Sequence, residues 1–223
     1  MNQTSLTTEA LRFLVIDDHE AILEGTVPAL QQRYPQATIG TAKTVRAAEQ
    51  EILYHPADLV IIDLSLPEFE SSPAMAEIGI RLLERLLASE LAPNIMVLST
   101  NIKPLIRLKP KINAYEGGFV AMDKASPIQT VLDSVEIALR GSIYLPPEVR
   151  SRPEFDRKWL RVLELKYQKG LSDKAIAKAM GMSDRTVRNY WIRIQDALSI
   201  YADPNQDLRI QIQLAARKAG LIH

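Results

Sequence analysis

The chain has 223 residues, 47% hydrophobic and 24% charged, the balance of a soluble globular protein of one or two domains. It contains no cysteine, which excludes a disulfide framework and cysteine-ligated zinc and fits a reducing cytoplasm. The net charge of zero hides a split: residues 1–145 hold 12 Lys+Arg against 18 Asp+Glu, and residues 146–223 hold 15 against 9. An acidic module joined to a basic one points to nucleic acid as the partner of the second.

Residues 1–10 lack a basic stretch followed by an apolar one, so no signal peptide is expected. No apolar run approaches the roughly 20 residues that cross a bilayer, so no membrane association is expected either. From residue 12 onward, apolar runs alternate with helical patterns. Strands are expected at 12–16 (RFLVI), 37–42, 57–64, 94–100 and 117–122. Helices are expected at 20–34, 45–55, 79–90 and 128–141, and Pro110 should break or kink any helix between the fourth and fifth strands. Strands too apolar to have a wet face, alternating with helices, imply a five-stranded doubly wound parallel sheet, α/β in class. Residues 142–155, with three prolines, read as a linker, and an all-α segment follows from about 156 to 223.

Three acids stand at strand ends: Asp17 and Asp18 after the first, Asp63 after the third. One aspartate at a strand end is ordinarily a turn or cap residue. Three at adjacent ends repel, and a divalent cation such as Mg²⁺, which takes hard oxygen ligands, is the natural compensation. His19 reads as a helix-start residue rather than a ligand.

The motifs VIDDH, ADLVIIDLSLP and VLST, followed by a lysine after the fifth strand, resemble the receiver domain of two-component response regulators over residues 11–141. The resemblance implies that Asp63 accepts a phosphoryl group from a sensor histidine kinase. It implies Mg²⁺ held by Asp17, Asp18, Asp63 and the backbone carbonyl of Ser65, with Ser99 and Lys124 on the phosphoryl oxygens. A carboxylate is a weak nucleophile, so positioning and nearby positive charge fit that role. In another register Asp123 occupies the lysine's slot. The loop at 68–78 is longer than the family's usual one, and the segment after Ser99 carries Pro104 and Pro110.

In the C-terminal segment, SDKAIAKAMG reads as a short helix capped by Ser172, with Ile176, Ala177 and Met180 inward and Gly181 ending it. Ser183 caps a second helix from Asp184, whose core face is Val187, Tyr190 or Trp191, and Ile194. Two helices joined by a tight glycine turn make a helix-turn-helix. GLSDKAIAKAMGMSDRTVRNYWIRI resembles the DNA-binding domain of the NarL/LuxR class, with the module at 156–223. That resemblance places Arg185, Arg188, Asn189 and Arg193 toward DNA, Thr186 by the phosphates, and Lys174 and Lys178 in support. The customary opening of that domain's first helix is missing before Trp159, and IYADPNQD replaces a more basic turn.

The reading that follows is a phosphorylation-regulated transcription regulator, not an enzyme, which binds DNA and dimerises through the receiver or a last helix near 206–219. A second reading keeps the fold as an unphosphorylated protein-interaction platform. A third, a Mg²⁺-dependent phosphohydrolase, lacks an acid–base residue two positions after Asp63, where Ser65 stands.

Overall fold

The computed structural model describes residues 10–150, 155–200 and 207–222. Two compact units divide the chain. Unit 1 is Met1–Ile102 with Lys111–Pro146, and unit 2 is Lys103–Pro110 with Pro147–His223.

In unit 1, β1 (Arg12–Ile16), β2 (Thr38–Ala42), β3 (Leu59–Ile62), β4 (Asn94–Leu98) and β5 (Phe119–Met122) are parallel. Every residue of β3 and β5 is buried, as are four of the five in β1 and β4. Residues buried on both faces of the pleat require helices on both sides, and α1 (Glu20–Arg33), α2 (Val45–Tyr54), α3 (Ala76–Leu87) and α5 (Ile128–Leu139) supply them. With Ile143–Tyr144 as β6, the strand order is β2-β1-β3-β4-β5-β6. The sheet therefore has six strands, not five: Ile143–Tyr144 (β6) pairs with Phe119–Val120 at the edge. Two residues carry too little pattern to show as a strand in sequence, so the expected linker at 142–155 instead begins with β6. It continues with the short α6 (Pro147–Arg150).

Between β1 and β3 the chain order reverses, and in open parallel sheets chemistry gathers beyond the strand ends at such a point. The register fixes what lies there. Ile16 pairs with both Ala42 and Ile62, and Asp63 N–H donates to the Ile16 carbonyl at 2.9 Å. Asp17 and Asp63, the next residues of two adjacent strands, thus emerge side by side.

The loop after β3 is a tied hairpin. Leu66 bridges Met75 in antiparallel fashion, and the Ser72 hydroxyl both accepts from Phe69 N–H and donates to the Phe69 carbonyl. Its base is anchored on the start of α2, where Val45 and Arg46 N–H donate to the Pro67 and Glu68 carbonyls. α3 starts three residues before the expected glycine, so Gly79 lies inside its first turns. A Cβ at Gly79 would lie 2.0 Å from the Leu64 carbonyl oxygen, so this close approach requires glycine. Between β4 and β5 the chain makes a 3-10 turn (Lys103–Leu108) and a short α4 (Lys109–Asn113). The break falls just before Pro110, which sits in the first turn of α4, where its missing N–H costs nothing.

Unit 2 is helical: α6, α7 (Arg157–Tyr167), α8 (Asp173–Ala179), α9 (Asp184–Ala197) and α10 (Leu208–Lys218). Its core joins Leu160, Leu163, Ile176, Val187, Trp191, Ile194, Ile212 and Ala216 with Ile106 of the 3-10 turn. Residues 103–110, which the sequence pattern groups with the receiver, cluster here. Their sequence separation from α7 gives no local signal of it.

Replacing Gly79 by alanine should destabilise the chain by about 1–3 kcal/mol, because the nearest atom is backbone and cannot swing away. A fall in the urea midpoint at unchanged slope would show it; an unchanged midpoint would refute the close approach.

Candidate functional site

At the carboxyl edge of unit 1, Asp17 is 2% exposed and Asp63 3%. Neither burial is tolerable for an isolated carboxylate. The compensation is Lys124, whose side chain is 7% exposed: Nζ lies 2.8 Å from Asp17 Oδ2 and donates to Asp63 Oδ2 at 2.5 Å. Burial pushes the Lys124 ammonium down, but the hydrogen bonds and charges of Asp17 and Asp63 outweigh it and hold its pKa above the ordinary value. The lysine, not Asp123, fills the pocket. Asp123 is exposed and its carboxylate accepts from Ala125 N–H at 2.8 Å.

Asp63 Oδ1 is buried and has no hydrogen-bond partner. A buried carboxylate oxygen left unbonded is uncommon in a folded protein. Asp17, Asp18, His19 and Asp63 each offer a ligand atom within 4.8 Å of the others. Hard carboxylate oxygens, two of them (Asp18 Oδ1 and Asp63 Oδ1) buried without a hydrogen bond, fit a divalent cation. His19 does begin α1, with extended backbone and no side-chain cap bond. Its ring also does more: Nδ1 lies 2.8 Å from Asp18 Oδ1 and 3.3 Å from Asp17 Oδ1. Its adjacency to two acids was the available signal. Ser99 is buried at the end of β4, and its carbonyl accepts from Lys124 N–H at 3.4 Å. Ser65 lies two residues past Asp63 and is half-buried.

In unit 2 the caps are in place. The Asp156 carboxylate accepts from Lys158 N–H at 2.7 Å, which supplies the cap that the absent opening motif left open. Ser172 Oγ caps α8 through Ala175 N–H, and Ser183 Oγ caps α9 through Thr186 N–H. Gly181 joins the two helices at φ +63°, the left-handed conformation that favours glycine. Ile176 and Ala177 are buried and Met180 half-buried; Val187, Trp191 and Ile194 make the inner face of α9, with Tyr190 half-buried beside them. Arg185, Arg188, Asn189 and Arg193 are exposed on the opposite face, and Lys174 and Lys178 are exposed on α8. Thr186 is half-buried, its Oγ1 2.9 Å from Ser183 Oγ. Of the unusual turn at 200–207, residues 201–206 lie outside the described residues. On α10, Ile210 and Leu214 are exposed one turn apart. No helix among the described residues is long and apolar enough to cross a membrane.

A parallel sheet with an acidic pocket at its switch point, and a helical unit built around a helix-turn-helix, have the form of a receiver-like domain and a DNA-binding-type domain. Comparison with known proteins agrees. Residues 13–114 match the response regulator receiver domain, and residues 153–196 match a homeodomain-like domain. The transcriptional regulatory protein YdfI of Bacillus subtilis is 24% identical over 202 residues, covering 84% of this chain and 89% of that protein. The oxygen regulatory protein NreC of Staphylococcus carnosus is 22% identical, covering 87% and 94%. The solved RcsB–DNA complex aligns over 93% of this chain and 98% of its own, with TM-score 0.58 and 20% identity, a likeness of fold. A structure of two RcsB dimers bound to two parallel DNAs aligns with TM-score 0.57 at 19% identity. The chain thus carries a response regulator receiver domain followed by a helix-turn-helix domain, and the proteins it is similar to are response regulators of the NarL/LuxR class.

Replacing Lys124 by methionine leaves Asp17 and Asp63 buried without their cation. Without added divalent ions, this should cost about 3–5 kcal/mol in urea unfolding. Adding Asp17→Asn to that variant should recover part of the loss. Equal stability of native and Lys124→Met protein would show that the lysine does not compensate the acids.

Proposed function

We propose that this chain is a phosphorylation-regulated transcription regulator, a cytoplasmic acceptor for a sensor histidine kinase. One observation carries it: Asp63 is buried, one oxygen held by Lys124 and the other, Oδ1, facing no protein partner. In the transfer, an Asp63 carboxylate oxygen bonds to phosphorus as the phosphorus–nitrogen bond of the kinase's phosphohistidine breaks. The imidazole, already protonated on its other ring nitrogen, leaves as the neutral ring. Lys124 then exchanges its bond to Asp63 for one to the phosphoryl oxygens, and the Ser99 hydroxyl donates to another. Asp17, Asp18, Asp63 and the Ser65 carbonyl are the residues that would hold Mg²⁺, which neutralises charge on the transferring group. Residues 11–141 carry the switching part and residues 156–223 the DNA-binding part.

Arg185, Arg188, Asn189 and Arg193 meet DNA from α9, the arginines suited to guanine edges and phosphates and the asparagine to adenine. Lys174, Lys178 and Thr186 serve the backbone. Ile210 and Leu214 present an apolar stripe for a second copy, so that two recognition helices reach two half-sites. The alternative, an unphosphorylated interaction platform, draws support from the tied hairpin after β3, an ordered surface that the transfer chemistry does not use.

Incubation with acetyl phosphate and Mg²⁺, followed by phosphate-affinity electrophoresis, should give a shifted band that Asp63→Ala abolishes. No shift, or one that survives the substitution, favours the platform. DNA affinity should fall at least about tenfold between about 50 and 200 mM salt, since arginine and lysine contacts release counterions. A flat salt response would remove the DNA role.

A further inference from the structure

We propose that Ile192 reads the 5-methyl group of a thymine in the major groove, one per half-site. The inference rests on the reading of unit 2 as a DNA-binding module and adds a residue that charge and hydrogen bonding do not identify.

The position carries the argument. At about 100° per residue, Arg185, Asn189, Ile192 and Asp196 fall within an arc of about 60° on α9. Arg188 and Arg193 flank that arc, while Val187, Trp191 and Ile194 lie opposite and are buried. Ile192 therefore stands in the middle of the polar face, 57% exposed. Its neighbours one turn away along that face, Arg188, Asn189 and Asp196, are themselves exposed, so the helix offers it no apolar cover. A solitary apolar surface residue is common and needs no cause. This one differs because every other fully exposed residue of α9 is charged or an amide.

The chemistry then selects the partner. A base-pair edge in the major groove offers hydrogen-bond donors, acceptors and one apolar group, the thymine methyl. The arginines and Asn189 match the polar groups, and Ile192 matches the methyl. Isoleucine is also stiff: branching at Cβ leaves one strongly preferred χ1 rotamer in a helix, so little side-chain freedom is lost on contact. Asp184 and Asp196 stand near the two ends of α9, where a carboxylate disfavours phosphate. The attractive surface thus lies between them along the helix, and Ile192 is within it.

The test uses the full-length chain. Selection from random duplex DNA gives its preferred site, and each thymine of that site is then replaced singly by deoxyuridine, which removes only the methyl. One position per half-site should lose about fourfold in affinity, the worth of one buried carbon. Ile192→Ala, a substitution at an exposed position, should bind the thymine and deoxyuridine sites equally at that position. Selection with that variant should no longer enrich thymine there. A native protein indifferent to methyl removal at every thymine overturns the assignment. So does a variant that keeps the same penalty, or one whose oligomeric state changes while its thymine preference stays. If the native chain enriches no sequence at all, the DNA-binding reading itself fails, a result distinct from failure at Ile192.

Discussion

Asp17 and Asp63 are buried side by side because two parallel strands end in register, and the ammonium of Lys124 lies within 2.8 Å of both. Without that cation the sheet's carboxyl edge would hold two like charges out of water, an arrangement that folding does not tolerate. With it, the pocket is folded and yet unfinished. Each aspartate has an oxygen on Lys124, while Asp63 Oδ1 is left without a partner. The lysine is thus both the reason the acids can be buried and the group positioned to follow an anion placed on one of them. Its backbone continues the same logic, since Lys124 N–H bonds to the carbonyl of Ser99 and ties the fifth strand's end to the fourth's.

Much of this was legible in the residues. β1 coincides with the apolar run RFLVI, and α1 and α2 lie within a residue of their expected bounds, because amphipathic periodicity and buried runs are local signals. The acids at strand ends were legible as a cluster because chain order in a doubly wound sheet makes the first and third strands neighbours. The rest depends on distant contacts. β6 is two residues long and exists only because β5 offers an edge. α3 begins before Gly79 because the hairpin closing at Met75 delivers the chain to it early. The choice of Lys124 over Asp123 turns on which of two consecutive side chains enters the pocket, and the sequence does not say which one a strand end turns inward.

The second unit shows the complementary case. Its serine caps and glycine turn were readable because capping is a local hydrogen bond between a side chain and the next turn. Ser172, Ser183 and Gly181 each take the expected part. What sequence inspection passed over was an apolar residue among cations. Attention to charge picks out Arg185, Arg188 and Arg193, and Ile192 becomes visible only when burial separates the two faces of α9.

The placement of residues 103–110 in unit 2 has a consequence for where the gene can be cut. The DNA-binding unit is discontinuous: its core takes Ile106 from a segment that precedes β5, while its other helices follow β6. The chain passes between the two units three times, not once. A gene fragment starting at residue 147 would encode a module missing one of its own core side chains, and a graft at that point onto a foreign receiver would import whatever residue stood in place of Ile106. A module cut at residue 147 therefore needs residues 103–110, or another side chain in place of Ile106, to complete its core.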